Sequence, residues 1–242
     1  MNNLLKWELK QTFKSKAFWG FLILYLAVAL LLLVDLLGGD IETGYNAFLT
    51  NINNLNGFLF LTIGIYGGIH FADAFEGRRI QAAIMAGNSR LNVVLSKIMS
   101  FSLAIAIYCV MELVVGSTIG FMATKETGVD SWKPVIVASA LFTLAWVVLS
   151  SICFIISMIV KKTGGAIALN TVALLLTDLV MQFIIDKPWG VKVCRYTFPG
   201  QVVFSLMAES RSEIITSALV SVSGLLLTAA VAYIIFRKIE LK

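Results

Sequence analysis

Six stretches of the chain are apolar on every side, with almost no charges to face water. They cover residues 17–37, 55–72, 98–123, 135–160, 164–185 and 214–236. A hydrocarbon core of about 30 Å takes about 20 residues in helical form, so each stretch is long enough to cross it or nearly so. Backbone groups in lipid must pair within their own segment, and a helix does that. Alternating ten-residue strands do not occur, so a β-barrel is not expected. The predicted fold class is all-α: a polytopic membrane protein of six transmembrane helices forming one domain over 1–242.

Shorter patterns fill the ends and loops. Residues 1–16 predict an amphipathic interfacial helix, with Leu5, Leu9 and Phe13 at i, i+4, i+8 on one face. Lys6, Lys10 and Lys14 line the neighbouring face, and Trp7 suits the headgroup level. The apolar run behind this basic start is too long for a signal peptide, and no small-x-small cleavage site follows, so the first span is expected to be retained. The longest loop, 186–213, carries Pro188, Trp189, Tyr196, Phe198 and Pro199. It is expected to form one or two short helices or a re-entrant element, with Pro199 suited to a helix start.

Composition agrees with this reading. Of 242 residues, 59% are hydrophobic and only 14% charged, and the mean hydropathy is +0.89. A soluble domain carries about 25% charged residues. Too few are present to coat a globule of this size, which excludes a soluble enzyme domain. Three cysteines, with Cys109 and Cys153 inside apolar runs, imply no disulfide framework.

The net charge of +5 is sided. Lys6, Lys10, Lys14, Lys16, Arg78, Arg79, Arg90, Lys97, Lys161, Lys162, Arg237, Lys238 and Lys242 fall on one side of the expected bilayer. The other side has Lys125, Lys133, Lys187, Lys192, Arg195 and Arg211. There Asp40, Glu42, Glu126, Asp130, Asp186, Glu209 and Glu213 balance them. By the positive-inside rule, both termini are expected in the cytoplasm of a plasma-membrane protein. The basic surplus is an orientation signal, and no nucleic-acid partner is expected.

Chemistry-bearing motifs are sparse. The glycines of a phosphate-cradling loop do not precede Lys162-Thr163, so no nucleotide or other cofactor is expected on this chain. His70 has no Cys/His cluster around it, and no metal is expected. Gly116-Ser117 with His70 suggests an intramembrane serine protease, but the strained nucleophile setting it needs is not evident, and a Gly-Ser pair in a span is more commonly a helix-packing site. No catalytic residue is expected. Glu112 and Asp178 fall near the middle of spans, where a charge costs ~2.5–3.5 kcal/mol. With Gln182 they are candidates for a substrate path or an interface between membrane subunits, or for neutral carboxyls bonded to a neighbouring helix. Asp35 is expected at the interface. Asn170 and Gln182 are expected to pair across helices. Gly64, Gly67, Gly68, Gly164 and Gly165 are expected to let helices approach closely.

The loop between the second and third spans, 73–96, has its own punctuation. Asp73 and Glu76 suit a helix start, Ile80 and Ile84 share a face, Gly87 suits a left-handed stop, and Ser89 suits the next helix cap. A short amphipathic helix over 76–86 is predicted, offering Ala82, Ala83 and Met85 rimmed by Arg78, Arg79 and Gln81. Alternatively, it is a solvated turn whose arginines only set topology.

This loop resembles that of permease subunits of ABC-2 type transporters, especially small six-span ones paired with peptide or bacteriocin immunity ATPases. The resemblance rests on the acidic start Asp73 and Glu76, the short coupling helix, Gly87-Asn88-Ser89-Arg90, and Lys97 opening the third span. The Thr often found ahead of the first aliphatic is Arg79 here. The topology, the basic N-terminal helix and the enlarged last outer loop also fit. The resemblance implies docking of Glu76, Arg78, Arg79, Ile80, Ala83, Ile84, Gly87, Ser89 and Arg90 on a separate ABC ATPase subunit that carries ATP and Mg. It also implies pairing with a second copy or a related permease, and export of an amphipathic or antimicrobial peptide or a lipid-like substrate. The rival expectations are a proton-coupled secondary transporter using Glu112 and Asp178, and a non-transporting membrane immunity protein.

Overall fold

The computed structural model describes residues 2–36, 44–124, 132–208 and 210–239, and every regular element among them is a helix. In chain order these are α1 (Asn2–Lys14), α2 (Lys16–Leu36), α3 (Gly44–Glu76), α4 (Arg79–Met85), α5 (Arg90–Thr124), α6 (Trp132–Val160), α7 (Thr163–Ile185), α8 (Pro188–Arg195), α9 (Gln201–Phe204) and α10 (Arg211–Lys238). Among the described residues, α3, α5, α6, α7 and α10 each contain a stretch long and apolar enough to cross a membrane. The pair α1–α2, bent by 56°, makes a sixth if it counts as one span. The chain thus has the architecture of a multi-pass helical membrane protein.

Helices α3, α5 and α6 pack mutually at the centre. On their flanks, α2 lies against α3 and α5, α7 against α3 and α6, and α10 against α6 and α5. Aromatic rings fill the middle: Phe18, Tyr25, Tyr66, Phe71, Phe101, Tyr108 and Phe154 are all buried. The Tyr108 hydroxyl donates to the Phe18 carbonyl at 3.0 Å and ties α5 to α2. Leu169, Val172, Leu176 and Leu179 on α7, and Leu219, Leu226 and Leu227 on α10, face outward, as a lipid-exposed surface requires.

Small residues set the helix spacing. A Cβ on Gly64 would meet the Thr171 Cα at 2.7 Å, and one on Gly68 the Ile167 Cα at 2.6 Å. These two glycines, one turn apart, let the α3 and α7 backbones touch, as the small-xxx-small rule describes. Gly67 lies against Cys153 and Phe101. At the start of α7 the expectation holds only in part: Gly165 meets the Val160 side chain, and Gly164 meets nothing. On α10 the buried stripe Ser217, Ser221, Gly224, Thr228 and Ala232 plays the same part, and a Cβ on Gly224 would strike Val148 of α6.

Three local expectations are corrected. The second span, read as 55–72, belongs to a 33-residue helix that begins at Gly44 and ends at Glu76. Its polar, asparagine-rich start is helical, and buried Ala74 and Phe75 carry its far end onward. On α1 the buried residues are Leu4, Glu8 and Thr12, while Leu5 and Leu9 are half-buried and Phe13 is exposed. At the start of the long loop, Pro188 rather than Pro199 opens a helix. That loop does form two short helices, α8 and α9. A capping box of Ser210 and Glu213 then starts α10. The break between α1 and α2 falls at Ser15, and the Trp19 indole donates to the Phe13 carbonyl freed there, at 2.8 Å.

Candidate functional site at the α4 end of the bundle

The chain turns sharply twice around α4. Arg78 takes a left-handed conformation at φ 54, and Gly87 does so at φ 86. Between them α4 is seven residues long, shorter than the predicted 76–86. The left-handed Arg78 stops α3 and sets the start of α4. At the far end the Gly87 amide donates to the Ile84 carbonyl at 2.9 Å and the Asn88 amide to the Ala83 carbonyl at 3.3 Å. This is the bond pair of a Schellman stop, which needs the positive φ that glycine takes freely. The Ser89 hydroxyl oxygen then accepts from the Asn92 amide at 3.2 Å and caps α5.

One face of α4 is fixed and the other is open. Ile80 is 1% exposed and belongs to the core, with Ala83 and Ile84 half-buried behind it. Met85 is 83% exposed, and Ala82, Ala86 and Arg78 also face out. Ile80 anchors the helix from inside, and Met85 heads the outward set. Between α1 and α4 runs a groove of about 360 Å³ lined by Leu4, Trp7, Ala82, Ala83 and Ala86, with Arg79 and Asn88 among its polar members.

Polar side chains tie this region to the helices around it. Arg79 bonds both Asp73 of α3 and Gln11 of α1. The Glu76 carboxylate accepts from the Thr163 amide at 3.0 Å and its hydroxyl at 2.6 Å. Asp73 and Glu76 therefore lie in the last turn of α3, not at the start of α4. Glu76 does occupy a helix N-terminus, but it is that of α7. Arg90 donates to the carbonyls of Phe236 at 3.2 Å and Arg237 at 2.7 Å, closing the end of α10. Beneath α1, the Lys97 ammonium lies 2.7 Å from the Glu8 carboxylate, with both side chains 3% exposed. His70 packs between Phe71 and Phe101 and lies 3.4 Å from the Ser100 hydroxyl. Glu8, Gln11, Tyr66, His70, Asp73 and Lys97 line a small polar cavity of about 60 Å³.

The sequence reading missed Glu8, although one acid among four lysines of a basic arm was a usable signal. The described basic residues of the arm, of Arg78–Lys97, of Lys161–Lys162 and of the α10 terminus do share one end of the bundle. The contacts of Glu76 with Thr163 and of Arg90 with α10 bring those segments together.

The intramembrane candidates fare differently. Asp178 accepts from Gln182 at 3.0 Å within α7, near Gly57 of α3. Asn170 donates to Ser157 of α6 at 3.1 Å, the cross-helix bond expected of it, whereas Gln182 finds its partner on its own helix. The side chains of Asp35, Glu112, Gly116 and Ser117 lie outside the described residues, as do Asp40, Glu42, Lys125, Glu126, Asp130, Glu209 and Lys242 entirely. Among the described residues, no group of three or more His, Cys, Asp or Glu side chains is placed to hold a metal ion. No family model matches the chain, and no curated protein does.

Proposed function

We propose that this chain is the membrane-spanning permease subunit of an ABC-2 type exporter, coupled through α4 to a separate ATPase chain in the cytoplasm. What carries the reading is one arrangement. A seven-residue helix projects between two left-handed turns, exposes Met85 and is anchored by buried Ile80. Arg79 ties it to α3 and α1, and its flanking residues Glu76 and Arg90 bond α7 and α10. A push on such a helix is passed to four neighbours. A solvated turn that merely sets topology needs neither the anchor nor the ties.

The basic end of the bundle faces the cytoplasm by the positive-inside rule, which places α4 where an ATPase works. ATP and Mg bind to that partner. A second copy or a related permease completes the pathway, and an amphipathic peptide or lipid-like compound is the cargo. Co-purification from native membranes tests the reading. Met85→Asp is expected to lower the recovered P-loop ATPase about tenfold, as loss of one exposed anchor does, with membrane yield unchanged. Undiminished ATPase recovery with Met85→Asp, or no P-loop ATPase with the unaltered chain, contradicts it.

A further inference from the structure

At the end of the bundle opposite α4, the chain that follows α7 folds back over the start of α10. The closing segment of α8, the α9 turn and the first turns of α10 enclose a chamber of about 250 Å³. Its wall mixes charge and ring surface. The Arg195 guanidinium lies 3.1 Å from the Glu213 carboxylate and 5.7 Å from the centre of the Phe204 ring. Tyr196, 68% exposed, and Met207 add apolar surface at the rim. The main chain here is held from behind, with the Gln201 side-chain amide donating to the Arg195 carbonyl and the Thr197 hydroxyl to the Cys194 carbonyl at 3.0 Å. On α10, next to the chamber-lining Glu213 and Thr216, Ile215 and Leu219 are exposed.

A paired cation and anion at the wall of one chamber select by charge. An anion is drawn to Arg195 but repelled by Glu213, and a cation meets the reverse. A zwitterion places each of its charges against the opposite member of the pair. The aromatic surface beside it favours an ammonium group. The exposed apolar residues of α10 next to the chamber suit attached acyl chains. A phosphate joined to a primary amine by a short linker meets all three conditions, and a primary ammonium can donate to Glu213 where a quaternary one cannot.

We propose that this chamber seats the headgroup of phosphatidylethanolamine, with its phosphate on Arg195, its ammonium at Glu213 beside Tyr196, and its acyl chains along Ile215 and Leu219. The assignment does not depend on which partner drives the bundle. It makes the α8–α9 fold-back a lipid-reading element rather than a plain connector.

Native mass spectrometry of the full chain, released from nanodiscs holding equal amounts of phosphatidylethanolamine, phosphatidylglycerol and phosphatidylcholine, tests this. The unaltered protein is expected to retain phosphatidylethanolamine about tenfold over the other two, the scale of a charge-assisted bond pair. Glu213→Gln keeps a side chain able to complete the capping box, and Arg195→Met keeps an apolar stem over Phe204. Each is expected to abolish that preference. Ser212→Trp, which fills the chamber and spares the ion pair, is expected to do the same, so the outcome does not rest on charge removal alone. Equal or greater retention of phosphatidylglycerol, or a preference that survives all three variants, overturns the proposal. Binding of soluble glycerophosphoethanolamine as tight as that of the lipid overturns the lipid source.

Discussion

Glu8 and Lys97 stand 89 positions apart in the chain and meet at 2.7 Å, with both side chains 3% exposed. The pair fastens α1 to the start of α5 beneath the polar cavity that also holds Asp73 and His70. It is why α1 turns its Glu8 face inward and its lysines outward, although Leu5, Leu9 and Phe13 are the more apolar set. An unpaired buried charge is far costlier than an exposed leucine.

Removing one partner is therefore worse than removing both. Glu8→Leu alone or Lys97→Met alone is expected to destabilise by about 3–5 kcal/mol, and the double variant to recover most of it. Thermal unfolding in detergent, arranged as a double-mutant cycle, checks this. Additive losses would show that the two groups do not act as a pair.

The contact between α3 and α7 makes a second prediction. Gly64→Leu and Gly68→Leu each drive a side chain into the α7 backbone, so either should part the helices and lower the melting temperature by several degrees, as overpacking at about 1–3 kcal/mol does. Gly164→Ala meets nothing and should stay within about 0.5 kcal/mol of the parent. If all three behave alike, close packing is not what these glycines supply.

Arg90 is expected to hold the end of α10. Arg90→Gln removes a charged donor from the Phe236 and Arg237 carbonyls, a loss of about 1.5–3 kcal/mol locally. Trypsin should then cut at Arg237 or Lys238 several-fold faster, while cleavage elsewhere is unchanged. An unaltered digestion rate would show that the end of α10 is held by other contacts.

Native cysteines leave the chain suited to surface labelling. All three are free and buried. Burial also pushes the Cys194 thiol up, which lowers its reactive thiolate fraction near neutral pH. The unaltered protein should react little with a membrane-impermeant maleimide, and Met85→Cys should react readily in inside-out vesicles but not in intact cells. Labelling from the outside would invert the orientation read from the lysines.

Much of the fold was legible because spans follow from apolar length alone. The stop at Gly87 and the cap at Ser89 were legible for a similar reason, since each is a local demand of the backbone. What escaped were partners chosen by tertiary packing. Glu76 looks like the start of the next helix, and only the fold shows that its carboxylate caps Thr163. Arg90 reads as part of a loop motif, yet its nearest polar partners are carbonyls almost 150 residues later. The inward turn of Glu8 against the apolar periodicity of α1 follows the same logic, because its partner Lys97 lies two spans away. The candidate site was found by its punctuation, and its ties to the bundle became visible only in three dimensions.

The most direct measurement is site-specific photocrosslinking in native membranes, with p-benzoylphenylalanine in place of Met85 and, as control, in place of Tyr196 at the opposite end. The probe at position 85 is expected to join one P-loop ATPase in good yield, the probe at 196 to join none, and the position-85 product to fall when ATP is depleted or trapped. A position-85 probe that joins only lipid, or that captures no ATPase while the protein is correctly inserted, would contradict coupling through α4.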